Sequence, residues 1–312
     1  MLRRPRPRAS AVLLAAAALA GTAAAEPPPQ PAAAVRTADA VCASAARPDL
    51  ARRLGADIRD ALEGRAGVAS VAVRDRVHGV RCAVDAGRRY DAASTVKVTI
   101  LAALLRRARE DGRRLTAAER ALATTMITRS DNGAASALWR RVGRARFARF
   151  LTLAGMARTV PGPGRYWGLT QITARDEDRL LALLTRRNAV LAAADRAYVL
   201  GLMHRVVPAQ RWGTPAGRPA GAGWHVKNGW LPRHGRVWRV HSLGAFDGRD
   251  RDYTIVVLTR DTPSMAYGVA TIERVARAVH RDLNPGLRAA DPAGERAPGA
   301  AETSDGSVPP DA

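Results

Sequence analysis

Lysine is almost absent from this chain. Of its 50 basic residues only Lys97 and Lys227 are lysines, and the other 48 are arginines. A solvated surface charge can be either residue, but a group that must lose its proton, or act as one compact charge, cannot be an arginine. The two lysines are therefore candidates for chemistry. Cysteine is just as scarce. Cys42 and Cys82 are the whole supply, which excludes paired C-x-x-C metal or redox centres. There is no H-E-x-x-H helix and no G-x-S-x-G turn. The six histidines (78, 204, 225, 234, 241 and 280) show no metal-ligand spacing and are read as surface or satisfied core residues; no metal or organic cofactor is expected. His225, two residues before Lys227 on the same strand face, is the one placed to reach a site there. No internal repeat is present, and beyond the N-terminal segment no apolar run approaches membrane-spanning length.

What is present begins with export. "MLRRPRPR" is basic, "AVLLAAAALA" is a short apolar stretch, and "AAA" at 23–25 is a small-residue cleavage site. Residues 1–25 read as a secretory signal peptide, so the mature protein should be secreted or wall-associated and free of the membrane. In an oxidising compartment the even pair Cys42 and Cys82 reads as a disulfide, which the chain-entropy model values at on the order of 3–4 kcal/mol. Residues 26–40 are a Pro/Ala-rich linker, and the Pro, Gly, Ala and acidic composition of 284–312 reads as a disordered tail. The formal charge is +22, spread through every segment with no single basic tract. It is read as a solvated surface with a secondary attraction to anionic wall polymers and no specific nucleic-acid binding. A monomer is assumed.

Between linker and tail lies one unit, 41–283. Leu50, Leu54, Ile58 and Leu62 have helical spacing. "VASVAVRD" and "GVRCAVDAG" alternate as two antiparallel strands. A buried helix is expected from Ser94, and "TAAE" at 116–119 is a capping box opening the next. Further helices follow near 132–142, 145–154, 173–186 and 190–206. After about 220 the chain reads as three strands and a closing amphipathic helix. Strands at both ends around a helical middle imply an α/β fold with an antiparallel sheet built from both termini. The α/β part is 41–93 plus 213–283, and the inserted all-helical subdomain is 94–212.

Three short stretches carry candidate chemistry. In "STVK" Ser94 and Lys97 lie one helical turn apart, so a lysine that has lost its proton can take the proton of the serine and make it a nucleophile. "SDN" at 130–132 falls between two helices, where it either presents Ser130 and Asn132 to a cleft or caps a helix. "KNG" at 227–229, followed by Trp230, places a cation on a late strand, to hold an anionic group or to guard a sheet edge.

Taken together and in this order, S-x-x-K, S-D-N and K-x-G resemble the motifs of the penicillin-recognising serine enzymes. The chain is similar to class A β-lactamases, and more so to related serine hydrolases of high-GC actinobacteria, over about 40–283. The resemblance implies the DD-peptidase/β-lactamase fold, a three-layer sandwich. It makes Ser94 the acylated nucleophile and Lys97 its base. Ser130 becomes the proton relay to the leaving nitrogen, and Asn132 the holder of the substrate amide. Lys227 supplies positive potential for a substrate carboxylate, with Asn228 and Gly229 beside it. The N–H groups of Ser94 and Trp230 form the oxyanion hole. The implied partner is a small-molecule or peptidoglycan-derived substrate. The alternatives are a cell-wall peptide DD-peptidase or transferase, and a non-catalytic wall-binding protein.

The chain departs from that family in three places. Ser94 and Ser130 are only 36 residues apart, so part of the helical subdomain is missing. Asn228 stands where the pattern has Thr or Ser. Residues 133–175 contain no Asp or Glu, so the carboxylate that activates the deacylating water is missing and turnover of β-lactams is not expected to be efficient. The next acids, Asp176, Glu177 and Asp178, open a capped helix and are read as favouring its dipole. Tyr166 and Gln171 fall on the shortened loop.

Overall fold

The computed structural model describes residues 41–233 and 237–290. The expected signal peptide 1–25, the linker 26–40 and the chain from 291 onward lie outside the described residues.

The described chain opens with β1 (Val41–Ala43), α1 (Pro48–Leu62), β2 (Val68–Asp75), β3 (Val80–Val84) and the two-residue β4 (Tyr90–Asp91). A 3₁₀ turn, Ala93–Thr95, leads into α2 (Val96–Glu110). Then come α3 (Ala117–Thr128), α4 (Asn132–Val142), α5 (Arg144–Leu153), β5 (Gln171–Ile172), α6 (Ala174–Thr185) and α7 (Ala193–His204). The chain returns to the sheet with β6 (Gly223–Arg233), β7 (Val237–Gly248) and β8 (Arg251–Thr262), and closes with α8 (Met265–Leu283). The main sheet has the order β1-β3-β2-β8-β7-β6, antiparallel throughout, so both ends of the chain do build it.

Strand alternation explains the layering. In β8, Ile255 and Val257 join the core under α1 and α8, while Val256 and Leu258 join the core with α2 to α7. Successive side chains on a strand point to opposite faces. A strand covered on both sides is therefore apolar almost continuously, as "YTIVVL" is. Leu54, Ile58 and Leu62 of α1 are fully buried, each contributing about 1.5–3 kcal/mol. α2 is buried nearly all round, which is why its sequence shows little periodicity. The result is helix pair, sheet and helical subdomain in three layers.

Cys42 and Cys82 are cross-strand partners of β1 and β3 and form a disulfide. The capping box is present, with Thr116 and Glu119 bonded reciprocally. Two details differ from expectation. β4 and β5 pair as a separate ribbon, too short at two residues each to show a period. The tail does not lose order at Asn284. Ala220 N donates to Arg288 O (2.9 Å), Ala290 N donates to Arg218 O (2.7 Å), and Pro219 bridges Ala289. Backbone pairing needs no apolar side chains, so composition gave no sign of it. Among the described residues no helix is long and apolar enough to cross a membrane.

Candidate active site

Ser94 does not open the helix but sits in the 3₁₀ turn before it, at 4% exposure. The turn is tied down on both sides. Thr95 donates from N and Oγ1 to Ala92 O, and Ala92 N donates to Thr170 O (2.8 Å). Ala93 adopts φ +47, in the left-handed region that a non-glycine residue occupies at some cost. β6 runs directly against this turn. A Cβ added at Gly229 would lie 2.9 Å from the backbone N of both Ser94 and Thr95, and 3.1 Å from Ala92 O. Gly229→Ala must therefore push β6 away from Ser94. Any acylation at Ser94 is expected to fall at least about tenfold while the far-ultraviolet dichroism is kept, and a variant that acylates at the parental rate would show that this contact does not matter.

The residues at 130–132 divide the work. Asp131 is the N-cap of α4, its side chain accepting from Ala134 N. Capping thus falls to Asp131, while Ser130 and Asn132 turn toward Lys97. Ser130 has φ +57, a second strained position at the same place.

Around these turns the two lysines meet. Lys97 Nζ is 2.8 Å from Ser94 Oγ, 3.1 Å from Ser130 Oγ, 2.6 Å from Ser130 O and 2.5 Å from Asn132 Oδ1. Lys227 Nζ is 3.0 Å from the same Ser130 Oγ and 2.7 Å from Asn228 O. Both lysines are fully buried. A continuous chain of contacts thus runs Ser94–Lys97–Ser130–Lys227. It can move a proton from Ser94 to a group bound near Ser130.

The structure does not bring every candidate to this cluster. On β6 the odd-numbered Lys227, Gly229 and Leu231 face the helical subdomain, and the even-numbered residues face α1 and α8. Asn228 therefore points away. Its Nδ2 donates to Gln210 O and Trp212 O (both 2.9 Å), and its buried Oδ1 has no hydrogen-bond partner. The Trp230 side chain also turns away, its ring centroid 6.0 Å from that of Trp212. His225 bonds Leu200 O and Asp247 Oδ2 rather than the cluster. Gln171 Nε2 donates to Asp91 Oδ1 (2.6 Å), joining β5 to β4.

Two features near the site were not read from the sequence. Trp167 is fully buried with its ring centroid 4.8 Å from Lys97 Nζ. His241, on β7, holds the strand before Ser94. Its Nδ1 accepts from Thr259 N, so Nε2 carries the proton and donates to Asp91 O (2.8 Å). Burial pulls its pKa down to about 4 and keeps it neutral. Nothing in the spacing around His241 signals this. An aromatic residue on this loop, in a chain with 4% aromatic residues, was the available hint for Trp167.

The three acids after the loop have three different fates. Asp176 accepts from Arg158 N and Thr159 Oγ1 (2.9 Å each). Asp178 pairs with Arg74 and accepts from Thr254 Oγ1. Glu177 is fully buried, and neither of its oxygens has a hydrogen-bond partner, so it makes no such contact with Ser94, Lys97 or Ser130. Burial first, and the neighbouring Asp176 carboxylate second, push its pKa up to about 8. The helix-dipole reading accordingly suits Asp176 and fails for Glu177. Among the described residues no group of three or more His, Cys, Asp or Glu is arranged to hold a metal ion.

The sequence matches the beta-lactamase enzyme family over residues 53–120 and 116–283. No curated protein matches it. Solved structures that do resemble it include a β-lactamase of Xanthomonas campestris pv. campestris, at 21% identity and TM-score 0.62, covering 74% of this chain and 97% of that one. A β-lactamase of Sphaerobacter thermophilus matches at 21% identity and TM-score 0.61, over 74% of this chain and 97% of that one. A class A β-lactamase representative from Bacteroides cellulosilyticus matches at 14% identity and TM-score 0.65, over 75% and 98%. At such identities the likeness is one of fold.

Proposed function

This chain belongs to the beta-lactamase enzyme family, and from that premise we propose that it is a serine hydrolase that is acylated at Ser94 by a β-lactam or a related amide or ester. The observation that carries the reading is the unbroken contact chain Ser94–Lys97–Ser130–Lys227, with steps of 2.8, 3.1 and 3.0 Å.

Lys97, once deprotonated, takes the Ser94 proton as Oγ attacks the carbonyl carbon. The oxyanion formed is met by the N–H groups of Ser94 and Trp230, a contribution usually worth several kcal/mol. The proton passes from Lys97 through Ser130 Oγ to the departing nitrogen. The C–N bond breaks, and the acyl ester of Ser94 is left with Lys97 neutral again. Lys227 draws a substrate carboxylate toward Ser130, and Asn132 holds the substrate amide. The Asn228 side chain has no part in this, since it is spent on the 210–212 backbone. We place the protein outside the cytoplasm, on the N-terminal segment and the Cys42–Cys82 disulfide. Weak attraction to anionic wall polymer and a monomeric state belong to the same reading.

The test is the intact mass of the purified protein after incubation with a penicillin, beside Ser94→Ala. Ring opening keeps the leaving nitrogen on the substrate, so acylation adds the mass of the whole penicillin. We expect a lasting adduct on the parent and none on the variant. Neither adduct nor turnover of a chromogenic cephalosporin on the parent would remove β-lactams from the substrate class. A cell-wall peptide acyl donor is the second reading. It is favoured by the lack of acids in 133–175, which leaves the acyl ester without a carboxylate from that segment to activate water.

A further inference from the structure

Trp167 takes no part in the steps above, yet it touches the residue that drives them. Its ring face lies over Lys97 Nζ at 4.8 Å, an arrangement in which the ring quadrupole attracts the ammonium. The indole is held from behind, with Nε1 donating to Ser136 Oγ on α4 (3.0 Å). Its own loop is held as well. Thr170 N donates to Trp167 O (3.0 Å), and Thr170 O accepts from Ala92 N, two residues before Ser94. Thr170 Oγ1 accepts from Gly162 N (3.1 Å). A Cβ at Gly162 would lie 2.1 Å from Tyr166 O, so only glycine lets the loop close this tightly. The ring therefore sits at a fixed place, tied to both the Ser94 turn and α4.

Hydrolysis of an acyl ester at Ser94 requires a water within reach of both the ester carbon and a base. After the leaving nitrogen has taken its proton, Lys97 is that base. Its Nζ is enclosed by Ser94 Oγ, Ser130 O and Oγ, Asn132 Oδ1 and the indole face. An apolar ring offers no hydrogen bond to hold a water against the amine.

We propose that Trp167 covers Lys97 Nζ and excludes hydrolytic water from the acyl ester. This rests on the assignment of Ser94 as nucleophile. The sequence of the 133–175 segment removes the usual carboxylate, and the indole closes the space beside the amine that remains. Acylation and deacylation are thereby separated, because the first uses contacts Lys97 already has and the second needs a water that Trp167 keeps out.

The experiment follows the penicillin adduct by intact mass in the full chain, measuring its formation and its decay after excess drug is removed. Trp167→Ala should hasten decay about tenfold or more, while Trp167→Phe, which keeps an apolar ring but loses the Ser136 bond, should hasten it by less. Formation should change much less than decay in both. Ser136→Ala, which frees the indole without opening a large cavity, should fall between the parent and Trp167→Ala and serves if Trp167→Ala fails to fold. Equal decay in the parent and in a folded Trp167→Ala or Ser136→Ala would overturn the proposal. A matching fall in formation would make Trp167 merely structural, and overturn it too. If no adduct forms on the parent, the Ser94 assignment itself has failed, which is a separate outcome.

Discussion

Lys97→Arg should slow acylation by about 10²–10⁴-fold, the span that a positioned general base contributes. An arginine keeps the charge but cannot release the proton at any working pH, so it cannot accept the one on Ser94. It also cannot fit. The ammonium lies in a buried pocket of Ser94, Ser130 and Asn132 oxygens with contacts of 2.5–3.1 Å, and a planar guanidinium has no room to satisfy five donors there. Lys227→Arg should cost less, because that position is proposed to supply charge rather than to titrate. The comparison is made from the rate of mass-adduct formation in both variants, with melting curves to confirm that each is folded. Acylation by Lys97→Arg at the parental rate would mean that some other group is the base. Equal losses in the two variants would show that compactness, not proton release, is what both sites require.

The second large effect is on stability and is pH-dependent. Glu177 is held neutral in the folded chain, with its pKa raised from 4.5 to about 8, mainly by burial. The unfolded chain ionises it from about pH 4.5 upward. The folded state therefore keeps its full advantage below pH 4.5. From there to about pH 8 it loses roughly 1.4 kcal/mol per pH unit relative to a residue that does not titrate. Leu180, Leu181 and Leu184 of the same helix are buried in the surrounding core, so a leucine at 177 is compatible in kind and size. Glu177→Leu should be the more stable protein at pH 8 by several kcal/mol. The gain should shrink steadily toward pH 5. Denaturant unfolding of both proteins at several pH values reads this directly. A gain that does not vary with pH would mean that the carboxyl is hydrated or paired in solution. Acylation at Ser94 should be unchanged in the variant, since Glu177 makes no hydrogen bond to the cluster.

Much of this was legible in the sequence, for definite reasons. Period-two and helical spacing gave the strands and helices, because each element buries one face or two. The S-x-x-K, S-D-N and K-x-G stretches did converge, since each is placed by a short-range device, the 3₁₀ turn, the Asp131 cap and the strand edge. Asn228 was misplaced by adjacency. One step along a strand reverses the face, so a neighbour of Lys227 in sequence is not its neighbour in space. Glu177 was misread because acids at a helix start are usually solvated, and nothing local reveals that this one is fully buried. Trp167 lies 70 residues from Lys97 in the chain. A contact at such separation is set by how the loop folds back, which neither periodicity nor motif reports.

The scarcity of lysine has a practical consequence for anyone who labels this protein. Amine-directed reagents ordinarily decorate a basic protein all over, but here the side-chain amines number two, and both are sealed in one cluster. Bulky acylating or cross-linking reagents should find little beyond the chain terminus. A reagent small enough to enter would mark the proposed site and almost nothing else, so the chain comes with its own selective handle.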